Sequence, residues 1–276
     1  MELLGFFAYP LLACILLVLI HTYFGIHILE RGIIFVDLAL AQFIGVGIAV
    51  SFLLGYDGNE KYVFSVLFAG FGAYILAHSR RIARVTNIEA FIGVLYIFSL
   101  AAAMLILDRT PHGLEEFKMI LNGSILWVGP KDLIATSLLY AAIGLFQFFF
   151  RARFFDLSYK GQGRFFWEFL FFLSFALVLV KSVEMAGILQ VFAFLIIPAL
   201  IGRLFTHQPA KILIGGWLLG FAASGAGIMM SYVWDLPTAP VIVASLSVLF
   251  LVIIVVRLIM NEGKNRGQIE TKKISS

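Results

Sequence analysis

Charged side chains are scarce in this sequence. They make up 13% of its 276 residues, whereas hydrophobic residues make up 62%. A soluble domain of this size could not shield so much apolar surface from water, so the composition excludes a soluble enzyme, a disordered chain, a secreted disulfide scaffold and a fibrous protein. The apolar runs are continuous and do not alternate, which argues against a membrane β-barrel. The composition therefore predicts an all-α integral membrane protein that crosses the bilayer several times.

The sequence also lacks the motifs that common catalytic sites need. Its single cysteine, Cys14, cannot form an intrachain disulfide. There is no glycine-rich phosphate loop, so any ATP hydrolysis is expected on a separate chain. No pair of the five histidines has the spacing of a zinc-binding motif. We therefore predict that the chain is not an enzyme and holds no permanent cofactor.

Nine apolar segments approach the length of about 20 residues that a helix needs to cross a bilayer. The third and sixth are short, and only residues 181–184 separate the sixth from the seventh, so a polytopic bundle of eight or nine spans is expected. The segments are Phe6–Phe24, Ile33–Leu54, Tyr62–Ala77, Ile88–Leu107, Leu133–Phe150, Phe165–Val180, Met185–Phe205, Ile212–Val233 and Val241–Met260.

The basic residues predict the orientation of the chain, because cytoplasmic loops of membrane proteins carry an excess of lysine and arginine. With the N-terminus outside and nine alternating spans, 15 of the 20 basic residues fall inside and 5 fall outside. We therefore predict an external N-terminus and a cytoplasmic C-terminus. The five outer residues are Lys61, Arg109, Lys118, Lys131 and Lys181.

Two polar residues lie within the second predicted span, where an ionisable group costs on the order of 2.5–3.5 kcal/mol on insertion scales. Asp37 lies about one turn inside the span, and Gln42 lies roughly 13 Å deep, near the midplane. Both are candidates for the lining of a translocation pathway. Alternatively, they bond to neighbouring helices, or Asp37 pairs with Arg31 or Arg84 near the inner surface.

Other polar and conformationally special residues lie near the ends or inside the later spans. Glu89 and Glu168 each begin a span, where the positive end of the helix dipole favours an acidic residue. Glu184 can pair with Lys181 on one helix face, and it is also a candidate outer gate. Pro198 removes a backbone hydrogen bond inside the seventh span and is predicted to kink that helix.

The segment Gly113–Val128 differs from the predicted spans. Leu114, Phe117, Leu121 and Ile125 recur at helical spacing between polar residues. This pattern predicts an amphipathic helix at the outer interface of the membrane.

Six blocks in order along the chain resemble the permease family of bacterial ATP-binding-cassette importers for zinc, manganese and iron. The first, "GIHILERGIIFVDLALAQFIGVGIAV", resembles a family block in which a basic residue precedes a D-A-L-S-H-type segment and a small-residue helix. The later blocks include "LNGSIL" and "MAGILQVFAFLIIPAL". The six blocks are Gly25–Val50, Ile88–Leu107, Leu121–Leu126, Trp167–Phe172, Met185–Leu200 and Leu236–Val243.

This resemblance implies the fold of a type II importer permease and a set of partners. Two copies of the chain would form one pathway in the bacterial inner membrane, with an ATPase dimer on the cytoplasmic side and a solute-binding protein outside. Nucleic acid is not an expected partner. The loop before the sixth span would form a coupling helix that docks on the ATPase. In this sequence it is the segment Arg151–Arg164, with Arg151, Arg153, Lys160, Gly163 and Arg164 as its candidate residues.

The second span departs from the family pattern, which places Asp and His four residues apart on one helix face, where both can ligate a passing metal. Here the segment ALAQ, residues 39–42, stands in the A-L-S-H place, and Asp37 precedes Gln42 by five residues. That spacing leaves the two side chains roughly 140° apart around the helix. A glutamine oxygen is also a poorer zinc ligand than imidazole. Either the metal is held more weakly, or another helix or the second copy completes the site, or the substrate differs.

These observations predict one membrane permease domain over residues 1–260 and a polar cytoplasmic tail over residues 261–276. The predicted function is ATP-driven import of a divalent transition metal, zinc or manganese, as the substrate. Two alternatives stay open: the same architecture could carry a metal chelate or siderophore, or the chain could be a secondary transporter that needs no ATPase.

Overall fold

A computed structural model describes residues 2–56, 58–110, 113–123, 125–161 and 163–274, without the side chains of residues 2–6, 114, 116 and 261–274. Ser124 and Gln162, which belong to segments named above, lie outside the described residues. The helices are α1 (Glu2–Arg31), α2 (Val36–Leu53), α3 (Glu60–Ala77), α4 (Ser79–Ile82), α5 (Ile88–Leu107), α6 (Gly113–Asn122), a 3₁₀ turn (Ile125–Trp127), α7 (Pro130–Phe149), α8 (Arg151–Tyr159), α9 (Phe165–Phe205), α10 (Pro209–Trp234) and α11 (Thr238–Ile274).

Eight helices of the described chain are long and apolar enough to cross a membrane: α1, α2, α3, α5, α7, α9, α10 and α11.

The first residues of two of these helices follow local sequence signals. The Asn87 side chain accepts a hydrogen bond of 3.0 Å from the Ala90 amide and caps α5. Pro209 occupies the first turn of α10, where its missing N–H removes no helical hydrogen bond.

Helix α9 contains 41 residues and folds back on itself. Phe175 packs on Phe24 of α1, with ring centroids 4.9 Å apart. Gly25, which follows Phe24 in α1, lies very close to Leu195 of α9. A Cβ at position 25 would be 1.9 Å from the Leu195 carbonyl oxygen. Twenty residues span about 30 Å along a straight helix, so two residues that far apart could not both touch neighbours on α1. The first arm, residues 165–186, and the second arm, residues 188–205, are therefore antiparallel and correspond to the two spans predicted here.

The reversal occurs at Gly187, whose backbone is not helical (φ 74°, ψ 164°). A Cβ at Gly187 would lie 2.4 Å from the Gly123 amide nitrogen. Conversely, a Cβ at Gly123, which has φ +64°, would lie 2.2 Å from the Gly187 nitrogen. Positive φ and direct backbone contact both require glycine. Pro198, which the sequence predicts as a kink, lies within the second arm, and the large change of direction lies at Gly187.

Helix α2 occupies the centre of the bundle. Thirteen of its eighteen residues are buried, and it packs against α3, α5 and α9. Gly47 allows α3 to approach closely, because a Cβ there would lie 2.6 Å from the Phe64 carbonyl oxygen. The position of α2 places its two polar residues deep inside the chain.

The bundle has two ends that differ in charge. The basic end is defined by Arg31, Arg80 and Arg203, where α1, α4 and α9 meet. The far end is defined by Lys61 and Glu184, near the reversal of α9. Helix α6 also lies at the far end, since it contacts the reversal through Gly123. It is shorter than predicted, because the positive φ of Gly123 ends the helix at Asn122.

Candidate functional site

Asp37 and Gln42 are both buried within α2. Asp37 lies in the first turn, about one turn from the basic end, and its side chain is fully shielded from solvent. Among the described residues, none donates a hydrogen bond to either of its carboxylate oxygens. Gln42 is 2% exposed. The pairing of Asp37 with Arg31 considered above is not formed, because Arg31 pairs with Glu168.

The five-residue spacing separates the two polar side chains around α2, and they do not share one face. Asp37 lies on the stripe that also carries Ile44 and Ile48, seven and eleven residues later, because these positions differ by nearly whole helical turns. Gln42 projects roughly 140° away from this stripe. Of the two polar residues, Asp37 is therefore the one that lies on the same side of α2 as Ile44 and Ile48.

A cavity of about 290 Å³ opens at the far end along this stripe. Its lining includes Ile44 and Ile48 of α2, Lys61 and Ser65 of α3, and Glu184 of α9. Ile44 is 1% exposed and is the lining residue of α2 nearest to the basic end. Ile44 and Asp37 are about 10 Å apart along α2 at 1.5 Å per residue. The cavity and the buried carboxylate thus lie on one side of α2, and the buried side chain of Ile44 lies between them.

Glu184 lies at the mouth of this cavity and is held by a surface ion pair. Its carboxylate accepts a hydrogen bond of 2.8 Å from the Lys181 ammonium, as the three-residue spacing predicts. Lys181 also lies 3.8 Å from the Asp132 carboxylate. The Glu184 side chain is 48% exposed, so it can meet a solute that arrives from the far side.

The predicted coupling segment contains the helix α8 at the basic end. Arg151 and Arg153 are exposed, and each guanidinium lies over an aromatic ring, that of Phe148 at 4.9 Å and that of Trp167 at 5.9 Å. These cation–π contacts orient the guanidinium groups, while both residues stay exposed to solvent. The first turn of α8 therefore presents two cations to any partner that approaches the basic end.

The end of the coupling segment packs closely on α8. Lys160 pairs with Asp156 at 2.7 Å, and Arg164 immediately precedes α9 as its exposed N-cap residue. Gly163 lies against Leu157, since a Cβ there would lie 1.9 Å from a Leu157 methyl carbon. All three candidate residues are exposed, and Gly163 also allows the close approach of the Leu157 side chain.

Sequence analysis missed the role of Glu168. The residue begins α9, as predicted, but its side chain is 1% exposed and ion-paired with Arg31 and Arg80. The two partners are separated from Glu168 by 137 and 88 residues. No local spacing could reveal these pairs; the only sequence signal was that all three charges fall at the same predicted membrane face.

In the part of the chain that the structure describes, no three His, Cys, Asp or Glu side chains are grouped to hold a metal ion. Among the described residues, Asp37 alone combines full burial with two carboxylate oxygens that lack a hydrogen bond.

A bundle of membrane-length helices with two buried polar residues in a central helix, a cavity at one end and a basic surface helix at the other is typical of a membrane transport protein. The sequence profile of the ABC 3 transport family matches residues 5–257, and the chain belongs to that family. It is thus a multi-pass permease, as the sequence blocks indicated, and the resemblance is confirmed.

Individual relatives agree with this assignment over most of the chain. A probable metal transport system membrane protein of Chlamydia muridarum is 25% identical over 79% of this chain and 78% of its own length. The manganese transport system membrane protein MntC of Listeria innocua is 23% identical over 90% of this chain and 89% of its own. The solved structure of PsaBC from Streptococcus pneumoniae in complex with Fab has the same fold, with a TM-score of 0.75, 23% identity and coverage of 91% of this chain and 92% of that one.

Proposed function

We propose that this chain is the membrane-spanning subunit of an importer that moves a divalent transition metal into the cytoplasm, driven by an ATPase on a separate chain. The observation that carries the proposal is the Asp37 carboxylate, which is fully buried and lacks hydrogen bonds among the described residues. Such a group is costly in a membrane unless a cation visits it. The names of the relatives, which include metal and manganese transport, support a metal as that cation.

The chemistry of the pathway residues favours manganese over zinc. Asp37 offers carboxylate oxygens and Gln42 offers an amide carbonyl oxygen. Oxygen ligands of this kind suit Mn²⁺, whereas Zn²⁺ prefers imidazole and thiolate. Weak oxygen ligands also permit release, which a transporter needs as much as binding.

Two copies of the chain supply the ligands that one copy lacks. A homodimer would place two Asp37 and two Gln42 side chains along one pathway, whereas the described residues of a single chain hold no group of three metal-ligating side chains. A metal taken from a solute-binding protein enters the cavity beside Glu184, passes Ile44 and reaches Asp37. ATP-driven movement of the helices then opens the route from Asp37 to the basic end.

The distribution of charge supports an inward direction of transport, because it predicts which end of the bundle faces the cytoplasm. The exposed cations of α8 lie at the end of the bundle that the excess of basic residues assigns to the cytoplasm. A cytoplasmic ATPase would dock there, and the far-end cavity would face outward to receive the metal.

The test is uptake by the complete complex in proteoliposomes, with manganese, zinc, iron and cobalt offered separately. We expect ATP-dependent uptake of free metal, with manganese transported best. Uptake of a chelate but of no free metal would support the chelate alternative. Uptake driven by an ion gradient without the ATPase would contradict the proposal.

A further inference from the structure

The basic end contains a buried ion cluster built around Glu168. Arg31, in the last turn of α1, is 8% exposed and pairs with one carboxylate oxygen of Glu168. Its guanidinium also lies over the rings of Phe171 and Phe172, at 5.1 and 4.8 Å. Arg31 alone therefore neutralises Glu168 and is fixed on both sides by the first arm of α9.

Arg80 adds a second, more exposed cation to this cluster and uses all three guanidinium nitrogens. Nε donates to the second Glu168 oxygen, Nη1 donates to the Gly161 carbonyl, and Nη2 donates to the Leu157 carbonyl at 3.0 Å. Leu157 lies in the last turn of α8, where carbonyl groups carry the negative end of the helix dipole. One planar side chain thus joins α4, the end of α8 and the start of α9.

A second contact attaches α8 to the transmembrane helices. His27 of α1 and Ser158 of α8 form a hydrogen bond of 2.9 Å between the imidazole Nδ1 and the hydroxyl. Phe154 of α8 is fully buried against the Phe171 ring, with centroids 6.0 Å apart. α8 is therefore not a loose surface segment, and a force applied to it reaches the bundle through specific side chains.

The cluster adjoins two helices that form walls of the far-end cavity. Arg80 lies on the short helix α4, which follows α3 after His78, and α3 contributes Lys61 and Ser65 to the lining. Glu168 begins the arm of α9 that ends beside Glu184. A displacement of α8 that pulls on Arg80 and Glu168 would therefore act on the basic-end side of both walls.

We propose that Arg80 and Glu168 are the positioning residues that transmit movement of α8 to α3 and α9, and so link the ATPase to the far-end cavity. The inference rests on the proposed function, because it takes α8 to be the surface on which the ATPase acts. Neutralisation of Glu168 does not need Arg80, since Arg31 already provides it. Arg80 adds what Arg31 does not, namely hydrogen bonds to the backbone carbonyls of residues 157 and 161, which tie α4 to the end of α8.

The first test compares Arg80→Gln with Arg81→Gln in the complete complex in proteoliposomes. Arg81 is the adjacent exposed cation on α4. We expect Arg80→Gln to assemble with the ATPase and hydrolyse ATP, while the metal transported per ATP falls at least about fivefold, the lower end of typical coupling factors between linked sites. Arg81→Gln should keep the wild-type ratio. A wild-type ratio in Arg80→Gln would overturn the proposal.

A second variant separates transmission from folding. Arg80→Lys keeps the charge beside Glu168 but cannot reach all three oxygens with one planar fork, so we expect correct assembly with an intermediate ratio. If Arg80→Gln does not assemble and Arg80→Lys transports at the wild-type ratio, the cluster serves folding only and the proposal fails. If the wild-type complex itself shows no ATP-driven metal uptake, the proposed function fails instead.

A distance measurement tests the mechanical link directly. Spin labels at Ala152→Cys on α8 and Ala83→Cys after α4 occupy exposed positions, and the native Cys14 is buried. We expect the distance between the labels to stay constant when ATP binds the wild-type complex, and to change in the Arg80→Gln complex. A distance that changes equally in both complexes would show that Arg80 does not join these elements.

Discussion

At the scale of single residues, the buried Asp37 carboxylate lowers the stability of the fold, while the proposed transport function needs it. A buried carboxylate without hydrogen-bond partners destabilises a fold, since a charge inside a span costs on the order of 2.5–3.5 kcal/mol. Its retention in the first turn of α2 is explained if the charge is needed when a cation passes. The same residue should therefore respond in opposite directions to assays of activity and of stability.

We expect Asp37→Asn to reduce metal uptake at least about tenfold, by comparison with the effect of removing even an outer partner of a metal ligand. The melting temperature of the purified protein should stay equal or rise, because the variant removes an unpaired buried charge. The matched control is Asp235→Asn at an exposed position with φ 51°, a conformation that asparagine tolerates. Wild-type uptake by Asp37→Asn would remove Asp37 from the pathway.

At the scale of elements, the reversal of α9 depends on one residue. Gly187→Ala would strain a backbone at φ 74° and push a methyl group to within 2.4 Å of the α6 backbone. We expect a loss of about 1–3 kcal/mol from backbone strain alone, seen as a lower melting temperature in detergent. Gly225→Ala is the control, because a Cβ there meets no neighbouring atom within 4 Å. That variant should be neutral or slightly stabilising, and equal melting temperatures for the two variants would contradict the assigned reversal.

The helix α8 gives a second prediction at this scale. Replacing Arg151, Arg153 and Lys160 by glutamine should weaken association with the ATPase subunit, as measured by pull-down of detergent-solubilised complex at low and high salt. A control variant that neutralises three other exposed cations, Arg81, Arg84 and Lys211, should assemble normally. Equal losses from both variants would show that only the total charge of the basic end matters.

Sequence pattern predicted the elements far better than their contacts. The span Ile88–Leu107 coincides with α5, because continuous hydrophobicity marks a membrane helix directly. The two spans on either side of residues 181–184 were also expected, although their junction proved to be a single glycine reversal. The Arg80–Glu168 pair joins positions 88 residues apart, and it depends on which helices pack together. Hydrophobicity does not encode that choice.

At the scale of the whole molecule, the excess of basic residues predicts which end faces the cytoplasm. Asn59→Cys lies before α3 at the far end and Ala83→Cys lies after α4 at the basic end, both at exposed positions. In intact cells, a membrane-impermeant maleimide should label only the Asn59→Cys variant, and permeabilised cells should show both. Labelling of Ala83→Cys alone in intact cells would invert the topology and the proposed direction of transport.

The reversal at Gly187 also constrains how the protein is made. The two arms of α9 are joined by one residue, so no hydrophilic loop exists that could wait in water while the second arm is synthesised. If the basic end faces the cytoplasm, as the excess of basic residues predicts, Lys181 and Glu184 must cross the lipid together with the two arms. The ion pair between Lys181 and Glu184 lowers the free-energy cost of moving these two charges through the lipid. The same pair that contributes to the rim of the cavity would then also assist membrane insertion.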